Sequence, residues 1–231
     1  MAIVDISDLT MDYRGNIVLD HLDLTLEEGH IVGLLGSNGV GKTTLLKILA
    51  GLEMNYEGHV KIAGSAPGAW TKDIVSFQPD HLPLPKDLTA AAAIRIYKRF
   101  YEDFDESKAF YMLEQFKLEA ERKIREMSKG MRDKLQITLT LSRKAKLYLL
   151  DEPIGGVDPA AKQSVIEGIL DGFDPNATML LSTHMVRDIE PIIDTAVFLG
   201  DGKVVMQDDT DALRAWYHGD LEDIFREVYG V

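Results

Sequence analysis

Cysteine is absent from this chain of 231 residues, which excludes disulfides and thiolate metal sites. No apolar run approaches the roughly 18 residues that a membrane-spanning helix needs. The N-terminal stretch MAIVDISDLT has no basic segment followed by an apolar one, so no secretory signal is predicted. Together these absences predict a cytoplasmic protein.

The chain also has fewer positively charged than negatively charged residues. The chain has 25 Lys and Arg against 38 Asp and Glu, which gives a net charge of −13. Nucleic-acid binding relies on cations that neutralise phosphates, and no dense basic cluster occurs in the sequence. We therefore expect no nucleic-acid partner.

Strand and helix patterns alternate along most of the chain. Leu22, Leu24 and Leu26 alternate with polar residues, and residues 31–35 form an apolar run typical of a strand buried on both faces. A glycine-rich loop follows, and then a helix pattern that ends near Gly51. Further strand patterns cover residues 57–64, 73–80, 145–153, 177–184 and 194–209. This alternation predicts an α/β core.

One internal section has a different pattern. After the Pro-rich stretch PDHLPLPKD, helices are predicted over residues 88–101, 107–120 and 129–144. Strand and helix alternation resumes afterwards, so we expect an inserted helical lobe rather than a separate domain. The predicted division of the single domain 1–231 is a core of residues 1–86 and 145–231, with a lobe of about residues 87–144.

A complete phosphate-binding motif, G-x-x-x-x-G-K-[ST], follows the apolar strand and opens a helix. Its glycines let backbone N–H groups converge on phosphate oxygens, and the start of the helix adds a favourable dipole. Lys42 is predicted to reach the β- and γ-phosphates, and the Thr43 hydroxyl to bind Mg²⁺. The predicted nucleotide contacts are Gly36, Ser37, Asn38, Gly39, Val40, Gly41, Lys42, Thr43 and Thr44.

Two acidic residues end the apolar strand LYLLDEP. Asp151 is predicted to hold Mg²⁺, and Glu152 to orient and deprotonate an attacking water. His184 ends another strand, where it either hydrogen-bonds a γ-phosphate or is merely solvated. The candidate catalytic residues are Lys42, Glu152 and His184.

These motifs occur in an order that resembles the nucleotide-binding subunit of ATP-binding cassette (ABC) transporters. The order is the phosphate loop, Gln78, MSKGM, YLLDEP, GGVDP and STH, and it covers essentially the whole chain. The resemblance implies the ABC ATPase fold, a P-loop NTPase core with an antiparallel β subdomain and an inserted α-helical lobe. It also implies that ATP and Mg²⁺ are cofactors and that ATP is hydrolysed to ADP and phosphate.

Several further roles follow from the resemblance alone. Tyr13 matches the aromatic residue that stacks on adenine. Gln78 matches the glutamine that contacts Mg²⁺ and senses the transmembrane partner, which adds it to Thr43 and Asp151 as a metal ligand. Asp158 matches an aspartate that communicates across a dimer of two cassettes.

The family signature, Leu-Ser-Gly-Gly-Gln, corresponds here to Met-Ser-Lys-Gly-Met at residues 127–131. Ser128 and Gly130 are kept, whereas Lys129 replaces a glycine and Met131 replaces the glutamine. In the family this motif completes the ATP site of the opposite subunit, so Ser128 and Gly130 are implied nucleotide contacts. Lys129 either adds a cation near that phosphate or points to solvent.

The resemblance implies an ATPase subunit that drives membrane transport, located at the inner face of the cell membrane. Its implied partners are separate transmembrane subunits and a second nucleotide-binding subunit, in a homo- or heterodimer. The stretch LEDIFREVYG and the SKGM signature resemble exporter ATPases of the multidrug and antimicrobial-peptide types. One alternative is a soluble ABC-type ATPase that acts as an assembly or regulatory switch without a membrane partner. Another is a small-molecule kinase, which would transfer phosphate to an acceptor other than water.

Overall fold

The computed structural model describes residues 1–155 and 159–230, and this part of the chain contains two β-sheets. In chain order the strands are β1 (Ala2–Tyr13), β2 (Asn16–Glu27), β3 (Ile31–Leu35), β4 (Glu57–Ile62), β5 (Val75–Gln78), β6 (Leu147–Asp151), β7 (Thr178–Thr183), β8 (Thr195–Gly200) and β9 (Lys203–Asp209). The α-helices are α1 (Lys42–Leu49), α2 (Ala69–Ile74), α3 (Ala90–Phe100), α4 (Glu106–Gln115), α5 (Lys129–Leu141), α6 (Pro159–Gly172), α7 (Val186–Ile189), α8 (Thr210–Tyr217) and α9 (Leu221–Tyr229).

The larger sheet carries the strands that lead into the predicted site. Its six strands run in the order β5-β6-β7-β3-β8-β9; β9 is antiparallel to β8, and the other neighbours are parallel. Every residue of β3, β6 and β7 is buried, which explains why these sequences are mostly apolar runs without alternation. Because parallel strands end at a common edge, the carboxyl ends of these three strands lie side by side.

The smaller sheet is antiparallel, with strand order β2-β1-β4. Leu22, Leu24 and Leu26 of β2 point inward, each no more than 2% exposed. They belong to a hydrophobic cluster that also includes α1 and one face of the larger sheet. The alternation in the sequence therefore predicted the buried face correctly, and the predicted fold class is confirmed.

The other face of the larger sheet packs against helices α3 to α9. Helices α3, α4 and α5 lie between β5 and β6 in sequence, and α5 is bound closely to β5. Ser76 Oγ donates to the Thr140 carbonyl at 2.8 Å, and Arg143 Nη1 donates to the Val75 carbonyl at 2.8 Å. Arg143 also pairs with Asp103 at 3.1 Å. The helical section is thus joined to the strand that ends at Gln78, while its exact limits stay a prediction.

Helices α4 and α2 differ from the prediction. Helix α4 ends at Gln115 rather than near residue 120, because Lys117 adopts a left-handed φ of 53° and Leu118 N bonds back to the Leu113 carbonyl. Buried Leu118 continues the apolar periodicity past the true end of the helix. Helix α2 was not predicted, since Thr71 is its only buried residue and it carries little periodicity.

No helix in the described ranges is long and apolar enough to cross a membrane.

Candidate nucleotide-binding site

The phosphate loop connects β3 to α1, which begins at Lys42. Gly39 and Gly41 have φ values of 86° and 107°, in the left-handed region that glycine adopts without strain. A Cβ on Gly41 would also lie 2.9 Å from the Val18 carbonyl oxygen, so no side chain fits there. The loop therefore turns back over the start of α1, where unpaired N–H groups attract an anion. Its remaining members lie in the same turn: Gly36, Ser37, Asn38 and Val40.

Lys42 is held inside this loop. Its Nζ donates to the Gly36 carbonyl at 2.7 Å and to the Ser37 carbonyl at 3.1 Å. It also lies 3.6 Å from Glu152 Oε1, and its side chain is only 6% exposed. Burial lowers the pKa of Lys42, and the Glu152 carboxylate opposes this shift by favouring the charged form. The site thus contains a buried cation that an entering phosphate could share.

Asp151 ends β6 and accepts two hydroxyl hydrogen bonds on one oxygen. Thr43 Oγ1 donates to Asp151 Oδ1 at 3.1 Å, and Ser182 Oγ donates to the same atom at 2.7 Å. Burial raises the pKa of Asp151, and these two hydrogen bonds oppose the rise. The second oxygen, Oδ2, is buried without a hydrogen-bond partner among the described residues.

Gln78, on the strand that neighbours β6, also has a buried side-chain oxygen. It ends β5, which pairs with β6, and its Oε1 is buried with no hydrogen-bond partner in the described part of the chain. Buried polar atoms are ordinarily hydrogen-bonded or bound to a ligand, so these two oxygens are available to a ligand. Carboxylate, amide and hydroxyl oxygens suit Mg²⁺, which also takes phosphate oxygens and waters. The set Thr43, Gln78 and Asp151 therefore fits a magnesium ion.

Glu152 is placed by an uncommon backbone conformation. Its φ of 48° is left-handed, and its N–H donates to the carbonyl and hydroxyl of Ser182 at 3.2 and 3.1 Å. The carboxylate oxygens Oε1 and Oε2 each lie 3.1 Å from His184 Nδ1. Glu152 thus lies between Lys42 and His184 at the open edge of the sheet. Strain of this kind, held by the surrounding structure, is typical of functional positions.

Tyr13 lies at the end of β1 and is 40% exposed. Partial burial raises the pKa of its hydroxyl, nearby Glu53 adds to the rise, and a hydrogen bond with Thr44 opposes it. The hydroxyl of Tyr13 is therefore close to Thr44, two residues into the helix that the phosphate loop opens. An accessible aromatic face in this position can receive a nucleotide base.

The signature residues 127–131 lie at the start of α5. Ser128 caps this helix by accepting a hydrogen bond from Met131 N at 3.3 Å, and Gly130 is the second residue of the helix. Lys129 donates to the Gly155 carbonyl, a contact that neither sequence-based alternative included. Among the described residues, no hydrogen bond or ion pair joins Ser128 or Gly130 to the loop. Asp158, which the resemblance assigns to communication across a dimer of two cassettes, lies outside the described residues.

One residue of the site was missed from the sequence. Ser182 bonds to both Asp151 and the Glu152 backbone, so it holds the acidic pair in place. It belongs to the stretch STH, in which a role was predicted for the histidine alone. A buried hydroxyl close to the end of β7 was the available signal.

Residues 19–155 match the family model described as ABC transporter. This match covers more than half of the chain.

The chain belongs to the ABC transporter family.

Curated relatives of this ABC ATPase resemble it over most of their length. SkfA peptide export ATP-binding protein SkfE of Bacillus subtilis (strain 168) is 32% identical over 215 residues, which cover 90% of this chain and 89% of the relative. Tungstate uptake system ATP-binding protein TupC of Peptoclostridium acidaminophilum is 31% identical over 206 residues, 87% of this chain and 96% of the relative.

Solved structures share the fold. An ATP binding subunit of an ABC transporter has a TM-score of 0.85 and 26% identity, covering 98% of this chain and 99% of that chain. The ATP-binding cassette MJ0796, solved as a post-hydrolysis dimer bound to ADP and Pi, has a TM-score of 0.78 over 89% of this chain and 98% of its own. Its identity is 21%, so this likeness concerns the fold only.

Family membership confirms the predicted family and enzyme class. The chain is an ATP-binding ATPase of the kind that serves ABC transporters. The alternative of a small-molecule kinase is therefore wrong.

Proposed function

We propose that this ABC ATPase is the nucleotide-binding subunit of a membrane exporter and hydrolyses ATP with Mg²⁺ between two paired cassettes. The observation that carries the proposal is the position of the Glu152 carboxylate, 3.6 Å from Lys42 Nζ and 3.1 Å from His184 Nδ1. A base, a cation and a second hydrogen-bonding group converge at the end of the phosphate loop. These groups suit hydrolysis of a terminal phosphate, which depends on a positioned water and on stabilisation of the phosphate charge.

Each residue has a distinct task in the proposed reaction. Glu152 orients the attacking water and accepts its proton. Lys42 exchanges its carbonyl partners Gly36 and Ser37 for the β- and γ-phosphates, so its charge stays compensated throughout. His184, oriented by its contact with Glu152, hydrogen-bonds the γ-phosphate.

The proposed metal site consists of Thr43, Gln78 and Asp151. Mg²⁺ bound there would neutralise charge that develops on the β- and γ-phosphate oxygens. Gln78 and Asp151 each have a buried oxygen that lacks a hydrogen-bond partner within the described ranges, which supports this assignment. Tyr13 is the proposed adenine platform.

A second cassette is proposed to complete each ATP site. Support comes from the exposed Ser128, which offers the N-terminus of the 13-residue helix α5 to a partner. Gly130 allows the partner's γ-phosphate to approach the backbone, and we assign Asp158 to communication between the two sites. Closure of the pair on ATP and its reopening after hydrolysis would then drive transport.

The proposed transmembrane subunits dock beside Gln78, at the cytoplasmic face of the membrane. A groove there runs between the core and the helical section and includes Leu52, Phe77 and Tyr97 as apolar members and Lys47 and Lys72 as cations. Export is supported by the name of SkfE, which is 32% identical, whereas the name of TupC at 31% identity denotes uptake. Direction of transport therefore needs an experiment of its own.

Copurification tests the membrane partnership. The native protein would be isolated with and without detergent, and integral membrane proteins in each sample identified by mass spectrometry. We expect a multispanning protein to accompany the chain only when detergent is present. Isolation without any integral membrane protein under both conditions would favour the alternative, an ABC-type switch that acts alone.

Direction can be determined in cells that carry Glu152→Gln in place of the parent chain. An exporter substrate would be depleted from the growth medium relative to the parent strain, as measured by untargeted mass spectrometry. Depletion of a compound from the cells instead, with its accumulation in the medium, would contradict export.

A further inference from the structure

The C-terminal helix α9 contacts the backbone immediately before the phosphate loop. The single hydroxyl proton of Tyr229 is shared between two carbonyl acceptors, Leu199 of β8 at 2.8 Å and Leu35 at 3.2 Å, in a three-centre hydrogen bond. Leu35 is the last residue of β3 and precedes Gly36. The Gly36 carbonyl in turn accepts from Lys42 Nζ at 2.7 Å. Two side chains therefore hold successive carbonyl groups where the strand becomes the loop.

Helix α9 is fixed at its other end as well. The N–H of Leu221 donates to Glu190 Oε1 at 3.2 Å, and Arg214 Nε holds the same carboxylate oxygen at 2.9 Å. Leu221 and Ile224 are at most 1% exposed, so the helix buries a defined apolar face. A helix anchored in this way places the Tyr229 hydroxyl in a fixed position.

The surroundings of Tyr229 favour the protonated form of its hydroxyl, which can donate a hydrogen bond. Its ring packs against Phe225 with centroids 4.4 Å apart and the ring planes tilted by 45°. Burial raises the pKa of the Tyr229 hydroxyl, and the hydrogen bond to Leu199 opposes the rise, so the group keeps its proton at neutral pH.

Gly36 is packed tightly at the same point. A Cβ added to Gly36 would lie 2.6 Å from the Leu199 carbonyl oxygen and 3.5 Å from Tyr229 Oη. The first residue of the loop thus fits between β8 and α9 with no space for a side chain. Any displacement of Tyr229 would therefore directly affect the position of the first loop residue.

We propose that Tyr229 is a positioning residue for nucleotide binding, which fixes the Leu35 carbonyl and thereby the entry to the phosphate loop. Binding of a phosphate draws Lys42 away from the Gly36 carbonyl, which leaves this turn with one side-chain anchor fewer. The hydroxyl of Tyr229 keeps its hold on the preceding carbonyl during that exchange. The inference rests on nucleotide binding at the proposed phosphate loop.

Tyr229→Phe tests the inference by removing the hydroxyl and keeping the ring. Its matched control is Tyr148→Phe, because Tyr148 Oη donates to the Arg143 carbonyl at 2.6 Å and touches no part of the loop. We expect Tyr229→Phe to raise the Kd for Mg·ADP about fivefold in calorimetric titration, equivalent to about 1 kcal/mol. Tyr148→Phe should leave that Kd within twofold. It should lower Tm by about as much as Tyr229→Phe does. ADP is used because it is neither hydrolysed nor expected to close the dimer.

Hydrogen exchange gives a second readout that does not depend on ligand. Amides of residues 36–41 should exchange several-fold faster in nucleotide-free Tyr229→Phe than in the parent chain, and should not change in Tyr148→Phe. Unchanged Kd and exchange in Tyr229→Phe would overturn the inference, as would an equal loss of affinity in both variants. Failure of the parent chain to bind ADP would instead contradict the proposed nucleotide site.

Discussion

The Nδ1 atom of His184 lies 3.1 Å from both carboxylate oxygens of Glu152. Because an ionised carboxylate only accepts hydrogen bonds, Nδ1 carries the proton in this contact, and the imidazole ring is oriented by it. The same carboxylate is within 3.6 Å of Lys42 Nζ. Glu152 therefore connects the two groups proposed to contact the terminal phosphate.

Glu152→Gln should separate ATP binding from hydrolysis. The amide keeps the size of the carboxylate and loses its basicity, so ATPase activity should fall about 10²- to 10⁴-fold. ATP should then remain bound and hold two chains together, which light scattering after size-exclusion chromatography would detect. The control is Glu119→Gln, at an exposed carboxylate on the helical section. Hydrolysis by Glu152→Gln at the parent rate would remove Glu152 from its proposed role.

Ser128→Arg, made in the Glu152→Gln background, should abolish the ATP-dependent dimer. A long cation at the start of α5 would occupy the space proposed for the partner's γ-phosphate. ADP affinity of the single chain should stay within twofold, since the hydrogen bonds of Ser128 among the described residues are to Met131 N and Arg132 N, both in the first turn of its own helix. Ser107→Arg, at an exposed position of α4, is the control and should still dimerise. A dimer of undiminished strength would mean that Ser128 is simply a helix cap.

Local motifs explain how much of this site could be predicted from the sequence. The loop from Gly36 to Thr43 and the pair Asp151-Glu152 are contiguous, and each follows an apolar strand that the sequence makes plain. Ser182 is different, because its contact with Asp151 depends on β6 lying beside β7 in that register. Sequence periodicity does not specify which strands are neighbours. Tyr229 was missed for the same reason, as it meets Leu35 across 194 residues of chain.

Asp151→Asn should raise the Mg²⁺ requirement of the ATPase. The amide removes the negative charge proposed to hold the ion, and we expect the Mg²⁺ concentration for half-maximal activity to rise at least about tenfold. ATP affinity in EDTA should change less than twofold, since the phosphates are held by the loop. The matched control is Asp171→Asn, at an exposed carboxylate on α6. An unaltered Mg²⁺ dependence would argue against Asp151 as a ligand.

A pH dependence of stability is expected from Asp133, on the helix that Ser128 caps. Its Oδ2 is buried without a partner among the described residues. Burial raises the pKa of Asp133 to about 6, and the cations Lys129 and Arg132 oppose the rise. The folded state therefore binds this proton more tightly than the unfolded state, whose pKa stays near 3.8. The stabilising contribution is complete below about pH 4 and is lost as pH rises through 6.

Asp133→Asn should consequently stabilise the protein at pH 8 and give little gain at pH 4.5. A shift of about two pKa units corresponds to roughly 3 kcal/mol, which partial solvent exposure reduces to about 1 kcal/mol. The expected rise in Tm at pH 8 is about 2–4 °C for a chain of this size. This difference in Tm is measured by thermal unfolding of the parent chain, Asp133→Asn and the control Asp171→Asn at pH 4.5 and at pH 8. A gain of equal size at both pH values would mean that packing of the amide, rather than removal of a buried charge, stabilises α5.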